Sequence, residues 1–194
     1  LEEIQQKYMI TVNQSAQSLL NIINDILDFS KIEAGKLELN IDHYNIREVL
    51  NQVIDLILYE SNLKNLKLEL NIHKDIPSCF WIDVVRVKQI LINLLANAVK
   101  FTEKGTIKLN VTILDKINNI YTIRFSVSDT GIGILEENKK RIFQAFSQED
   151  SSTTRKFGGT GLGLTISNKL LSLMDSYLKL ESKINVGSTF YFDL

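Results

Sequence analysis

The sequence predicts an α+β fold, a two-layer sandwich in which a mixed sheet carries helices on one face, preceded by one long helix. Three observations carry the prediction. Ile107 to Leu114 and Ile120 to Val127 alternate apolar with polar residues and are joined through DKINN, the pattern of an antiparallel hairpin. RVKQILINLLANAVKF, Arg86 to Phe101, sets Val87, Ile90, Leu91, Leu94, Leu95 and Ala98 on one helical stripe, which needs a sheet or helix to cover it. Leu1 to about Ala34 spaces Tyr8, Val12, Leu19, Ile22, Ile26 and Phe29 at heptad steps. Leu20, Ile23 and Leu27 widen that face beyond a two-stranded seam, as in a helical bundle.

The elements follow in order. Gly35 is a C-terminal stop for the first helix. A strand is expected at Lys36 to Ile41, a helix at Ile46 to Ser61, a strand at Lys67 to Ile72, then the Arg86 to Phe101 helix and the hairpin. A short helix near Arg141, a loop, the helix GLGLTISNKLLSLM and strands near Tyr177 to Ser182 and Ser188 to Asp193 complete the chain. His43 and His73 read as loop or strand-end residues, and Cys79 as a packing residue.

Six of the nine glycines lie between Gly131 and Gly163, in DTGIGI and GGTGLGL. Glycine inside ordered structure costs roughly 0.5–1 kcal/mol relative to alanine, so such clustering marks sharp turns or a backbone close to a ligand. The second cluster runs into a helix, whose first N–H groups favour anions. Neither cluster is a P-loop or a GxGxxG turn directly after its strand. Either alone reads equally well as a surface turn.

A third feature shifts that balance. Arg86, Gln89, Asn93, Asn97 and Lys100 line the polar side of the Arg86 to Phe101 helix at steps of three and four. Alone, the strip reads first as a solvated face. Two mid-helix asparagines are nevertheless poor helix formers, and their amide oxygens suit a Mg²⁺ shared with phosphate.

In this order the segments resemble the ATP-binding catalytic domain of two-component sensor histidine kinases, the hybrid type above all. QILINLLANAVKFT is similar to the family's N box, SDTGIGI to its G1 box, RIFQAFSQED to its F box, TTRKFGGTGLGL to its G2 box and GSTF to its last strand. LLNIINDILDFSKIEAGKLEL resembles the second helix of the dimerisation and phosphotransfer domain. The resemblance covers essentially the whole chain. It implies the Bergerat sandwich over residues 37–194, with residues 1–36 belonging to the dimerisation domain.

The resemblance also implies the site. Asn97 would chelate Mg²⁺ on the phosphates of ATP, with Asn93 one turn earlier in support and Lys100 on phosphate; these three form the catalytic set. Phe101 would lie against the base, and Asp129 would accept from the adenine amino group. Gly131 and Gly133 would let the backbone pass the base, and Thr189 would bond it directly or through water. In a lid of roughly Ser147 to Thr160 and the segment after it, Gly159, Thr160, Gly161, Leu162 and Gly163 would meet the phosphates, with Arg155 on the γ-phosphate. Phe143 and Phe146 read as packing at the lid's root, and Lys139, Lys140 and Arg141 as a solvated face.

Implied partners are ATP, a phosphoacceptor helix of the same or a partner subunit, a response regulator receiver domain and a second subunit. Neither histidine matches the family's H box, so the phosphoacceptor is expected outside this sequence. A net charge of −1 without a long basic block argues against nucleic acid. The single cysteine and the lack of an apolar run near ~20 residues suit a cytoplasmic domain, whose parent can still be membrane-anchored. Three alternatives remain: an ATPase of the same fold, a related serine kinase, and a non-catalytic ATP-binding module. The ATPase would need a water-activating glutamate where this chain has Asn93.

Overall fold

The computed structural model describes residues 3–118, 120–145 and 161–194. It divides the chain into two compact units, Leu1–Leu37 and Glu38–Leu194.

The first unit is one helix, α1 (Glu3–Glu33). It stops where glycine permits. Gly35 has φ +63, and the N–H groups of Gly35 and Lys36 donate to the carbonyls of Ile32 (3.0 Å) and Lys31 (2.9 Å), a Schellman cap. Tyr8, Val12, Leu19, Ile22, Ile23, Ile26 and Leu27 are all exposed on this helix and give it a broad apolar face.

The second unit holds β1 (Asp42–Asn45), α2 (Ile46–Leu63), β2 (Lys67–Ile72), β3 (Cys79–Ile82), α3 (Val84–Phe101), β4 (Thr106–Ile117), β5 (Ile120–Asp129), α4 (Gly163–Ser172), β6 (Lys179–Lys183) and β7 (Gly187–Asp193). Two 3₁₀ turns, Glu136–Asn138 and Arg141–Phe143, follow β5. The main sheet runs β2-β4-β5-β7-β6, with β2 parallel to β4 and the other pairs antiparallel, so it is mixed as expected. Its covered face carries Ile107, Leu109, Val111, Ile123, Phe125, Val127, Phe190 and Phe192, all buried; Phe125 and Phe192 stack at 5.1 Å. Fully burying each such side chain contributes about 1.5–3 kcal/mol.

Helix α3 contributes the opposing layer. Val87, Ile90, Leu91, Leu94, Leu95 and Ala98 are all buried, the stripe expected from their spacing. Asp83 caps its start, accepting from Arg86 N–H at 3.0 Å, and Asn45 does the same for α2 through Arg47 N–H at 3.1 Å.

Three expectations are corrected. Residues 36–41 form no strand; Asn40 N–H donates to the Asp83 carboxylate (2.9 Å), so a side chain satisfies the backbone where a ladder was expected. The strand lies just beyond, where Asp42–Asn45 pairs with Cys79–Ile82 in a separate two-stranded sheet that places His43 opposite Trp81. Cys79 is exposed on β3, its outward side in the pleat, and does not pack. Finally, β4 and β5 continue through most of DKINN, making the hairpin connection shorter than expected.

Candidate functional site

The polar strip of α3 is half-buried along its length. Arg86 donates to Gln89 Oε1 (2.9 Å). One turn on, Asn93 Nδ2 donates to Ser167 Oγ of α4 (2.9 Å), and Asn93 Oδ1 accepts a longer contact from Asn97 Nδ2 (3.5 Å). This relay orients both amides. With Asn97 Nδ2 turned to Asn93, the Asn97 oxygen remains as an acceptor with no partner among the described residues. Gly163, the first residue of α4, packs directly on Asn93: a Cβ there would lie 2.2 Å from Asn93 Oδ1.

The C-terminal end of α3 is held from α2. Lys64 Nζ donates to the carbonyls of Val99 (2.6 Å) and Lys100 (3.1 Å), a cation on carbonyls that the helix itself leaves unpaired. Lys100 Nζ sits 4.8 Å over the Phe101 ring, and burial pulls its pKa below the usual lysine range. The next residue, Thr102, is fully buried, and its hydroxyl has no partner among the described residues. Such a group costs about 1–3 kcal/mol until something completes it.

Asp129 ends β5 on the helix-covered face, in step with Val127 and Phe125. Burial pushes its carboxyl above the ordinary range, against the opposing pull of the Gly131 and Ser188 N–H groups. The Gly131 N–H lies 2.8 Å from Oδ1. Around it the backbone is too tight for side chains. A Cβ on Gly131 would lie 2.4 Å from the Phe101 carbonyl oxygen, and one on Gly133 (φ +71) 2.2 Å from that of Lys183. The DTGIGI loop is tied at both ends: Ile132 N–H to the Phe101 carbonyl (3.4 Å), and Ile134 N–H to Ser182 Oγ (2.8 Å).

The structure therefore brings Asn93, Asn97, Lys100 and Phe101 together on one helix and places Asp129 and Gly131 against that helix's end, whereas Gly133 packs on the Lys183 carbonyl at the end of β6. Gly161 (φ +69) and Leu162 lead into α4, with the Leu162 side chain buried in the core and its carbonyl accepting from Ile166 N–H (2.8 Å). Phe143 ends a 3₁₀ turn whose carbonyl accepts from Thr165 Oγ1 of α4 (3.1 Å), anchoring the segment that precedes the expected lid. Phe146, Arg155, Gly159 and Thr160, with the lid itself, lie outside the described residues.

Thr189 is not brought to the site. Register pairs Asp129 with Ser188 and Ser128 with Thr189; the period of two puts Thr189 on the uncovered face, where it donates to Ser128 Oγ (3.0 Å). Ser188, buried on the face of Asp129, is the residue beside the carboxylate. Sequence reasoning also missed Lys64 and Ser167, whose contacts span distant segments.

The donor set fits a magnesium ion carried by a polyphosphate: a neutral amide oxygen, and among the described residues no cluster of three His, Cys, Asp or Glu that would hold a metal unaided. A half-buried carboxylate read together with glycine-tight backbone and an amide-lined helix defines a nucleotide-binding domain.

Comparison with known proteins agrees. Residues 82–194 match the family described as histidine kinase-, DNA gyrase B- and HSP90-like ATPase, and the chain belongs to that family. It is 44% identical over 194 residues to the signal transduction histidine-protein kinase BarA of Escherichia coli, covering all of this chain and 21% of BarA. Against the sensor histidine kinase GacS of Pseudomonas protegens it is 42% identical over 187 residues, covering 96% of this chain and 20% of GacS. It thus spans about a fifth of these relatives. Among solved structures, full-length ShkA in complex with AMPPNP superposes with a TM-score of 0.82 at 32% identity, over all of this chain and 39% of ShkA. The histidine kinase ThkA in complex with the response regulator protein TrrA gives 0.70 at 25%, over all of this chain and 52% of ThkA. The mixed sheet and its helices are those of the histidine kinase catalytic domain.

Proposed function

We propose that this chain is the catalytic core of a hybrid-type sensor histidine kinase, which binds Mg-ATP and transfers the γ-phosphoryl to a histidine for relay to a response regulator aspartate. The observation that carries the reading is the half-buried, ionisable Asp129 set against the end of the amide-lined helix α3. Asp129 accepts from the adenine amino group, Phe101 borders the base, Lys100 meets phosphate, and Asn97 Oδ1 holds the metal. Mg²⁺ supplies charge neutralisation on the phosphates, and the chain's own part is positioning. An imidazole nitrogen forms the new bond to the γ-phosphorus, the bond to the bridging oxygen breaks, and ADP leaves. In this reading residues 1–36, which include α1, supply the second helix of a dimeric bundle, its apolar face turned to the other helices, and the catalytic domain works in the cytoplasm.

The amide of Asn93 bears on the ATPase reading. It is committed to Ser167 and Asn97 and takes no proton at neutral pH, so water at the γ-phosphate lacks a base there. Mixed with [γ-³²P]ATP and the phosphoacceptor helix of its parent, the chain is expected to label that helix with an acid-labile, base-stable bond. An acid-stable label would overturn the reading in favour of a serine kinase, and rapid phosphate release without label would favour an ATPase. Asn97→Ala is expected to lose the magnesium-linked part of ADP affinity, on the order of 10–100-fold. Calorimetry with and without Mg²⁺ checks this, and equal affinities in the two enzymes would remove Asn97 from the site.

A further inference from the structure

The hydroxyl of Ser182 lies at the meeting of three segments. It stands on β6 opposite Ser188 of β7. Its Oγ is 2.8 Å from Ile134 N, 3.0 Å from the Gly187 carbonyl oxygen and 2.9 Å from Ser188 Oγ. A serine hydroxyl has one proton and two acceptor sites. The Ile134 N–H only donates and the Gly187 carbonyl only accepts, so the Ser182 proton goes to Gly187. One acceptor site is taken by Ile134. What is left for Ser188 is the other acceptor site, so Ser188 is the donor in the hydroxyl pair.

The consequence falls on the pocket. With its proton directed to Ser182, Ser188 can only accept from whatever lies beside Asp129, and the ionised Asp129 also only accepts. We propose that Ser182 is a specificity-determining positioning residue: by holding the Ser188 proton it makes this end of the pocket a pair of acceptors, selecting a 6-aminopurine over a 6-oxopurine. Ser182 does not touch the base. The inference rests on the adenine-binding reading given above and deepens it.

The test compares ADP and IDP affinities by calorimetry. Ser182→Ala releases the Ser188 proton, which can then donate to the 6-oxo group. The ADP-to-IDP affinity ratio is expected to fall roughly tenfold, chiefly through gained IDP binding. Ser182→Thr retains the hydroxyl and keeps the ratio, and adding Ser188→Ala to Ser182→Ala abolishes the IDP gain. A hydroxyl that merely supported the loop would weaken both nucleotides equally, and an unchanged ratio overturns the proposal. Should Ser182→Ala fail to fold by circular dichroism, Ser188→Ala alone decides: loss of ADP affinity with IDP unaffected supports an accepting Ser188, and the reverse overturns it. A wild type that binds neither nucleotide sinks the adenine reading itself, an outcome distinct from selective ADP binding with an unmoved ratio.

Discussion

Asp129→Asn is expected to weaken ADP binding by roughly 10- to 100-fold while raising the melting temperature of the nucleotide-free protein. The first effect is the loss of a charge-assisted hydrogen bond to an amino group, worth about 1.5–3 kcal/mol, or a factor of ten or more. The second follows from burial. Desolvation raises the Asp129 pKa in the folded state above its unfolded value, so the folded protein holds this proton more tightly. Stability from this group is fully present below the unfolded pKa and is lost as pH rises through the folded one; at neutral pH the ionised carboxylate destabilises the fold. Asparagine keeps an oxygen for the Gly131 N–H without that cost. The variant's advantage should therefore be largest at neutral pH and shrink in acid, as the wild-type carboxyl takes up its proton. Asp193 titrates in the opposite sense, its pKa lowered chiefly by Arg124, but it is common to both proteins and cancels in the difference. Calorimetric melts of the two proteins at neutral and acid pH decide; a variant less stable than wild type at neutral pH would mean that the raised pKa is not felt by the fold.

That the site charges the fold for its function explains why some of it was legible. Mid-helix asparagines and packed glycines are locally unfavourable, and unfavourable choices stand out in a sequence: Asn93, Asn97, Gly131 and Gly133 draw attention this way, although alone the strip reads first as a solvated face and either glycine cluster equally well as a surface turn. The stripe of α3 follows from its spacing, and the motif resemblance is what assigns the asparagines, the glycines and Asp129 to a nucleotide site. What failed has equally physical causes. Thr189 and Ser188 are neighbours in GSTF, and a one-residue step in a strand turns a side chain to the other face, so the register with β5 was needed to choose between them. Lys64 and Ser167 act across 35 and 74 residues, beyond any local pattern. Residues 36–41 have the alternation of a strand, but pairing needs a neighbour, and the neighbour Cys79–Ile82 took the residues just beyond.

Gly163→Ala is expected to remove most of the magnesium-linked ADP affinity, on the order of tenfold, with a loss of fold stability of no more than about 2 kcal/mol. The glycine motif read from sequence gives Gly163 the task of presenting its N–H to phosphate, and alanine would keep that N–H. The structure gives a different reason for glycine. A Cβ would lie 2.2 Å from Asn93 Oδ1 and 2.9 Å from its Cγ, so the Asn93 side chain must swing away. In doing so it leaves Ser167 and removes the acceptor that fixes the Asn97 amide, whose oxygen then no longer has a set direction. The fold is expected to tolerate the change, because overpacking costs about 1–3 kcal/mol while alanine is favoured over glycine in a helix by about 1 kcal/mol. Since the loss runs through Asn97, it should not add to that of Asn97→Ala: the double variant should bind Mg-ADP no more weakly than Asn97→Ala alone. Titrations of wild type, both single variants and the double variant, with and without Mg²⁺, separate the two readings. Normal binding by Gly163→Ala would restore the role of its N–H, and losses that add in full would show that Gly163 acts on the nucleotide by a route other than the asparagine pair.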